Sequence, residues 1–303
     1  MARTSVQQTV EVEGHRVKLT NLDKVLWPDV GYTKGDLIRY YAQVYDYIAP
    51  HLSQRPLTLV RYPNGIQGQS FYQKNAPPST PDFVDTYLAG SGNSRINYIL
   101  VSNRATMVWL ANQAALELNP WLSTIEHPQF PDVIVFDLDP EEGSSFEDAR
   151  AIAFVVKAAL DKLNLKGFPK LSGATGIHIY VPIEPKYSFQ VTSRFVGFLG
   201  ELISQIHPTK VTNRRLVKER TGRVYIDHLQ NLYAKTIVCA YSPRPRPGAP
   251  ISIPVTWEEL EWIQPQQFHL NNVLDRLNQV GDLFAPVLTT RQSLDSLLPQ
   301  LGL

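Results

Sequence analysis

The run Asp132-Val-Ile-Val-Phe-Asp-Leu-Asp-Pro140 constrains this chain more than any other stretch. Its apolar part, 132–136, predicts a short strand. On a strand, residues i and i+2 share a face, so Asp137 and Asp139 converge on one point at its end. Like charges this close repel, and loss of water sharpens the conflict. A divalent cation resolves it, and carboxylate oxygens suit Mg²⁺ or Mn²⁺. The bare Asp-x-Asp pattern also fits a strand fraying into an acidic loop, because Glu141 and Glu142 follow at once. Asp227 closes another apolar strand, Arg223-Val-Tyr-Ile-Asp227. Alone it is a strand-end acid. Added to the pair, it makes three carboxylates, enough for two metals acting in phosphoryl transfer.

Around this strand, helix and strand signals alternate. Residues 37–48 predict a helix ending before Pro50, 56–62 a strand, and 105–118 a second helix stopped by Pro120. Ser144-Ser-Phe-Glu147 resembles a capping box for a helix to about 163. Leu171 and 177–183 predict strands on either side of a glycine turn. A long helix follows at 188–206, then strands at 223–227 and 235–241, and a last helical segment at 273–277. No linker interrupts the pattern. It implies one mixed α/β domain over 1–303, with a lobe boundary near 130 that no linker supports.

Of the 303 residues, 43% are hydrophobic, enough to bury a core without disulfides. The single cysteine, Cys239, lies in the apolar run 236–240 and reads as a core residue. That usage suits a reducing, intracellular setting. No apolar run approaches the roughly 18 residues of a membrane span. Met1-Ala-Arg-Thr-Ser-Val6 lacks the apolar centre of a signal peptide. A cytoplasmic protein without a membrane partner is expected.

Lys and Arg number 29 against 28 Asp and Glu, a formal net charge of +1. Taken whole, that balance speaks against a nucleic-acid partner. Taken by segment, it does not. Residues 208–246 hold nine basic residues against Glu219 and Asp227, whereas 132–161 holds eight acids against Arg150 and Lys157. The stretches read either as two solvated faces or as a cation-binding carboxylate centre beside a basic surface for phosphates.

Three further features carry chemistry. Ser172-Gly-Ala-Thr-Gly-Ile-His178 joins two strands, and its glycines let backbone N–H groups approach an anion. His178 can donate an N–H to a phosphate oxygen. Lys24, Lys34, Arg61 and Lys74 are scattered basic residues, with Lys34 just ahead of a helix start, where a bound phosphate would be favourable. Phe71 and Tyr72, beside Lys74, can form a stacking platform for bases; the plainer reading puts one ring in the core and one at the surface.

In this order the motifs resemble the polymerase domain of the end-joining ligase D family, within the archaeo-eukaryotic primase superfamily. The likeness runs through Asn21-Leu-Asp-Lys24, Tyr32 to Asp36, Arg61 to Gly65, Phe71 to Lys74, Leu116 to Trp121, Phe136 to Pro140, Ser172 to His178, Asp227 to Asn231, Lys235-Thr236, Tyr241 to Arg244 and Thr256 to Glu259. It implies a primase-like core of mixed sheets flanked by helices around a central cleft. It implies that Asp137, Asp139 and Asp227 hold two ions, Mn²⁺ or Mg²⁺. Ser172, Gly176, His178 and Arg244 would hold a nucleoside triphosphate, with Gln230, Lys235 and Asn119 close by. Lys24 and Lys34 would grip a 5′-phosphate at a gapped or overhanging DNA end, near Arg61 and Lys74. Phe71 and Tyr72 would stack under the template base, and Lys218 and Arg220 would belong to a mobile loop near the primer.

The implied activity is template-dependent extension or gap filling by two-metal nucleotidyl transfer, with ribonucleotides preferred. A stand-alone, nucleoid-associated polymerase is expected, with Ku and a separate DNA ligase as partners. Thr175 and Asn119 depart from the family, which often has Lys and His there. Two other readings remain at this point. One is a metal-dependent phosphohydrolase with Asp137 as nucleophile, and the other is a non-catalytic DNA end-binding protein.

Overall fold

A computed structural model describes residues 7–302; the stretch 1–6, read above for a signal peptide, and residue 303 lie outside the described residues. The fold is mixed α/β, and the chain groups into two compact units. It passes between them after residues 121, 237, 252, 267 and 281. A boundary crossed that often leaves no single linker for the sequence to display.

Unit 1 takes the chain through Trp121, with 238–252 and 268–281. It opens on a hairpin of β1 (Gln7–Val12) and β2 (His15–Thr20), followed by a small ribbon of β3 (Val25–Trp27) and β4 (Tyr32–Thr33). Helix α1 (Lys34–Leu52) starts at Thr33, which shares a capping box with Asp36. Its buried stripe Leu37, Tyr41, Val44 and Ile48 follows the helical period. The helix does not stop before Pro50. Pro50 lies in its last turn, where it forfeits one i→i−4 bond, to the Asp46 carbonyl, with only two helical residues still to come. Lys34 is therefore the first helical residue and not a residue ahead of it.

The unit 1 sheet is built from β5 (Leu57–Arg61), β6 (Phe71–Gln73), β7 (Thr86–Ala89) and β8 (Ile96–Ile99), in the order β6-β5-β8-β7. The expected helix over 105–118 is corrected. Helix α2 spans Arg104–Asn112, the chain turns at Ala114 with φ of 53°, and Ala115–Pro120 is β9, antiparallel to β5. All six residues of β9 are buried. The Ala-Ala-Leu run at 114–116 continues the apolar pattern of α2 across the turn, and the strand shows only in the short alternation Leu116-Glu-Leu-Asn119, which the helical reading overran.

Unit 2 takes 122–237, 253–267 and the chain from 282 on. Its strands are β10 (Val133–Pro140), β11 (Phe168–Leu171), β12 (Ile177–Pro182), β13 (Val211–Thr212), β14 (Val224–Ile226) and β15 (Ile253–Pro254). They form one sheet in the order β13-β14-β10-β12-β11-β15. Helices α3 (Phe146–Lys162) and α4 (Phe189–Ile206) flank it. A Cβ on Gly200 of α4 would lie 3.5 Å from Ile226, so α4 packs tightly on that residue. On this face Phe136, Leu138, Ile177, Ile179 and Ile226 are sealed from water. Pleat alternation sends Asp137, Asp139, His178, Tyr180 and Tyr225 to the other face.

Two further expectations are corrected. The cap of α3 is Ser145 with Asp148, one residue later than Ser144 with Glu147, because Ser144 Oγ is engaged by the carbonyls of Glu141 and Arg223. The expected strand 235–241 forms no ladder: Ile237 to Tyr241 are buried, but the Cys239 N–H goes to the Leu118 carbonyl. Cys239 is a core residue, as expected. No helix among the described residues is long and apolar enough to cross a membrane.

Candidate active site

Three neighbouring strands of unit 2 bring the first group together. Asp137 on β10 is register partner of His178 on β12, which is register partner of Lys170 on β11. His178 Nε2 lies 3.2 Å from Asp137 Oδ1, and Lys170 Nζ lies 2.8 Å from His178 Nδ1. The lysine is 0% exposed. Asp139, two residues beyond Asp137, shares its face and is register partner of Tyr225 on β14.

The turn 172–176 is shaped to this face. Ser172 Oγ accepts from the N–H groups of Ala174 and Gly176, both at 3.1 Å, and so organises the loop as well as lying in it. Gly173 has φ of 72°, a value that glycine adopts without strain. A Cβ on Gly176 would sit 2.8 Å from the Leu138 carbonyl and 3.0 Å from Asp139 Oδ1. The glycine thus leaves room for the Asp139 carboxylate. Thr175 is exposed, whereas Ser172, Gly173 and Gly176 are buried.

Asp227 joins the same edge through the backbone, with its N–H on the Asp137 carbonyl at 3.1 Å. Its Oδ1 accepts from Leu229 N–H at 3.0 Å and from the Tyr225 hydroxyl at 3.1 Å. Burial and then the Asp227 carboxylate push the Tyr225 phenol up to about 12, so it stays protonated and donates. Asn231, wholly buried, bonds both N–H and carbonyl of Val135 through its side-chain amide. It thereby extends the ladder of β10 beyond the residues that β14 reaches. Gln230 Nε2 bonds the Thr236 carbonyl, and Lys235 is exposed.

In the loop 213–223, Lys218 is exposed while Arg220 is tied inward. The Arg220 guanidinium stacks 3.5 Å from the Tyr225 ring centroid and bonds Glu141 at 2.9 Å and two loop carbonyls.

Among the described residues no group of three or more His, Cys, Asp and Glu side chains forms a metal cage unaided. The fit to a divalent cation rests on the donors. Asp137 and Asp139 offer hard oxygens from one face, and Gly176 leaves space beside one of them.

Unit 1 holds the remaining expected residues. Lys34 N–H bonds the Lys24 carbonyl, which brings the two lysines together. Lys34 is 5% exposed, with Nζ on Thr20 Oγ1 at 3.1 Å and the Asn112 carbonyl at 3.2 Å. Burial, and then the charge of Lys24, lower its ammonium to about 8. Lys24 Nζ bonds Asn64. Arg61 is anchored to Gln113 and Gln73, with its guanidinium 5.0 Å from the Phe71 ring centroid; Lys74 is exposed.

Phe71 and Tyr72 are 43% and 73% exposed, so neither ring is in the core. Their register partners are Arg61 and Val60, adjacent residues of β5, so the rings leave the sheet on opposite faces. The platform expected from adjacency is therefore split. The Tyr72 face also carries Thr58, Glu117 and Asn119. Glu117 Oε1 lies 2.8 Å from Arg244 Nε, an ion pair mostly closed to water. Arg244 is set there because Trp27 Nε1 bonds its carbonyl and Tyr40 bonds that of Tyr241. Thr58 Oγ1 and Asn119 Nδ2 are register neighbours, buried, and without a hydrogen-bond partner among the described residues.

Sequence reasoning passed over Lys170, Tyr225, Glu117, Thr58 and Asn231. Lys170 and Glu117 each interrupt an apolar strand with a charge, which is the one local signal they carry.

The family description "LigD, primase-polymerase domain" matches residues 33–284. The chain is 35% identical over 268 residues to the bifunctional non-homologous end joining protein LigD of Bacillus subtilis, covering 88% of this chain and 43% of that protein. It is 35% identical over 274 residues to the multifunctional LigD of Mycolicibacterium smegmatis, covering 90% of this chain and 36% of that protein. The chain thus spans less than half the length of these relatives. Its fold matches a solved structure, the polymerase domain from Mycobacterium tuberculosis ligase D in complex with DNA, with TM-score 0.84 and 30% identity, over 91% of this chain and 99% of that one.

Proposed function

The chain belongs to the LigD primase-polymerase family, and from that premise we propose that it is a template-dependent polymerase of end joining. It extends or fills gaps at DNA ends that bear a 5′-phosphate, drawing on nucleoside triphosphates with ribonucleotides preferred. The observation that carries this reading is the shared face of Asp137, Asp139 and His178 beside the turn 172–176. The residues 1–303 act as one catalytic domain.

Asp137, Asp139 and Asp227 would hold two divalent ions, Mn²⁺ or Mg²⁺, which when bound stabilise the attacking and leaving oxygens of the transfer. The chain's own work is positioning. The Ser172 hydroxyl accepts from the Ala174 and Gly176 N–H groups and so orders the turn that would meet a polyphosphate. His178 offers a ring nitrogen beside Asp137. Tyr225 and the Leu229 N–H hold one oxygen of Asp227 still.

In unit 1, Arg244 is steadied by Glu117 and suits a phosphate. In unit 2, Gln230 and Lys235 are proposed contacts of the triphosphate. The partnerless Asn119 Nδ2 and Thr58 Oγ1 support a role for their face in meeting a sugar hydroxyl. Lys24 and Lys34 suit an end phosphate, because two ammonium groups near neutral acceptors gain from an anion. Arg61 with Phe71, and Tyr72 on the other face, offer rings for bases. Lys74, Lys218 and the rest of the 213–223 loop serve the DNA backbone and primer. Ku and a ligase are the partners such an activity needs, at DNA ends in the nucleoid.

The test is a gapped duplex with a 5′-phosphate, labelled nucleotides of either sugar, and Mn²⁺. Extension is expected, faster with ribonucleotides. No extension with either sugar overturns the proposal, and release of inorganic phosphate would point to a hydrolase.

A further inference from the structure

Lys170 is a lysine sealed inside the sheet of unit 2, at the centre of β11. Burying an ammonium is costly unless something nearby compensates it. Across the strands it meets a register line, Lys170, His178, Asp137. Nζ is 2.8 Å from His178 Nδ1, and the opposite ring nitrogen is 3.2 Å from Asp137 Oδ1. The Tyr180 ring, next along the same face, presents its π-system 5.6 Å from Nζ.

A lysine that donates here has N–H groups and no acceptor to offer. With Nζ 2.8 Å away and donating, the ring nitrogen supplies a lone pair and Nδ1 carries no proton. A neutral imidazole then holds its one proton on Nε2, the nitrogen on the Asp137 side. A doubly protonated ring would set N–H against N–H.

We propose that Lys170 is a positioning residue: it donates to His178 Nδ1, locks the imidazole as the Nε2–H tautomer, and so aims one N–H at the anionic end of the site. What that N–H meets during turnover, the Asp137 carboxylate or a triphosphate oxygen, rests on the nucleotidyl-transfer reading above. The tautomer does not.

The test begins with the unaltered protein. In ¹⁵N-labelled full chain without nucleotide or metal, two-bond ¹H–¹⁵N correlations of the histidine rings report the tautomer directly, with His178 assigned by its absence in His178→Gln. The expected pattern at pH 7 is a protonated Nε2 and a bare Nδ1. A protonated Nδ1, alone or together with Nε2, overturns the proposal. This measurement needs no variant of Lys170, so a folding failure there cannot obscure it. The second arm is Lys170→Met, checked by circular dichroism. The His178 signals are expected to show mixed tautomers, with kcat for gap filling down roughly 10- to 100-fold and KM for the gapped duplex little changed. A folded variant that keeps the Nε2–H pattern and the parent kcat overturns it. An unaltered protein with the expected tautomer but no extension would sink the polymerase reading and leave the Lys170 assignment standing.

Discussion

Lys34 carries an ammonium to the first turn of α1, where water scarcely reaches it and Lys24 lies alongside. Its proton leaves near pH 8 instead of the ordinary 10.5. Between those values the unfolded chain holds a proton that the folded chain lacks, so this group makes stability rise with pH in that window. Below pH 8 the full cost of the buried charge is present. A bound end phosphate would reverse that cost and raise the lysine again. Preference for a 5′-phosphorylated over a 5′-hydroxyl gapped duplex should therefore fall as pH climbs from 7 to 9.5. Fluorescence anisotropy at constant ionic strength measures it, and a flat profile would remove Lys34 from the phosphate site. Glu117 makes the complementary case. Glu117→Ala strips the carboxylate from a mostly buried guanidinium, Arg244, and should cost about 3 kcal/mol in urea unfolding. A loss below about 1 kcal/mol would mean that water already compensates the pair.

At the scale of elements, the active face depends on how β10 is satisfied along its edge. β14 pairs only with 138–140, so upstream the work passes to the Asp227 N–H at Asp137 and the Asn231 amide at Val135. Asn231→Ala leaves a buried N–H and carbonyl of Val135 without that partner, and should cost about 3 kcal/mol by thermal or urea unfolding. It should also lower extension, since Asp227 loses its fixed place beside β10. A variant with parent stability would show that another group takes over the ladder. The elements legible in the sequence are those whose period is local: most of α1, α4, and the strands on either side of the glycine turn. β9 was missed because the apolar pattern of α2 runs on through 114–116, leaving only the short alternation Leu116-Glu-Leu-Asn119 to mark a strand, and pairing with β5 makes it one. The divergence of Phe71 and Tyr72 follows from strand alternation, once 71–73 is known to be a strand.

For the whole molecule, the opposed charged stretches partly answer each other within unit 2. Lys210 of the basic stretch pairs with Asp148 of the acidic one at 2.8 Å, and Arg220 with Glu141 at 2.9 Å. A net charge of +1 then leaves few cations to track a continuous backbone. Binding to a phosphorylated gapped duplex should show a log–log salt slope of about −2 to −3, the value for two or three phosphates at roughly 0.9 each. A slope steeper than about −6, measured by anisotropy across salt concentrations, would require a long basic track instead. The sequence alone determined the Asp137–Asp139 pair, the glycine turn with His178, Asp227 at a strand end, and the mixed α/β class. Those features are written in short spacings, and short spacings survive without knowledge of the fold. Tertiary structure alone decided that Lys170 stands behind His178, that Glu117 holds Arg244, and that Asn231 completes β10. Each of those pairings joins residues that only strand register or a chain crossing brings within 3 Å. Lys170 and His178 lie only eight residues apart, yet the register across the turn sets their pairing, and the other two partners are too distant in the chain for any local pattern to encode.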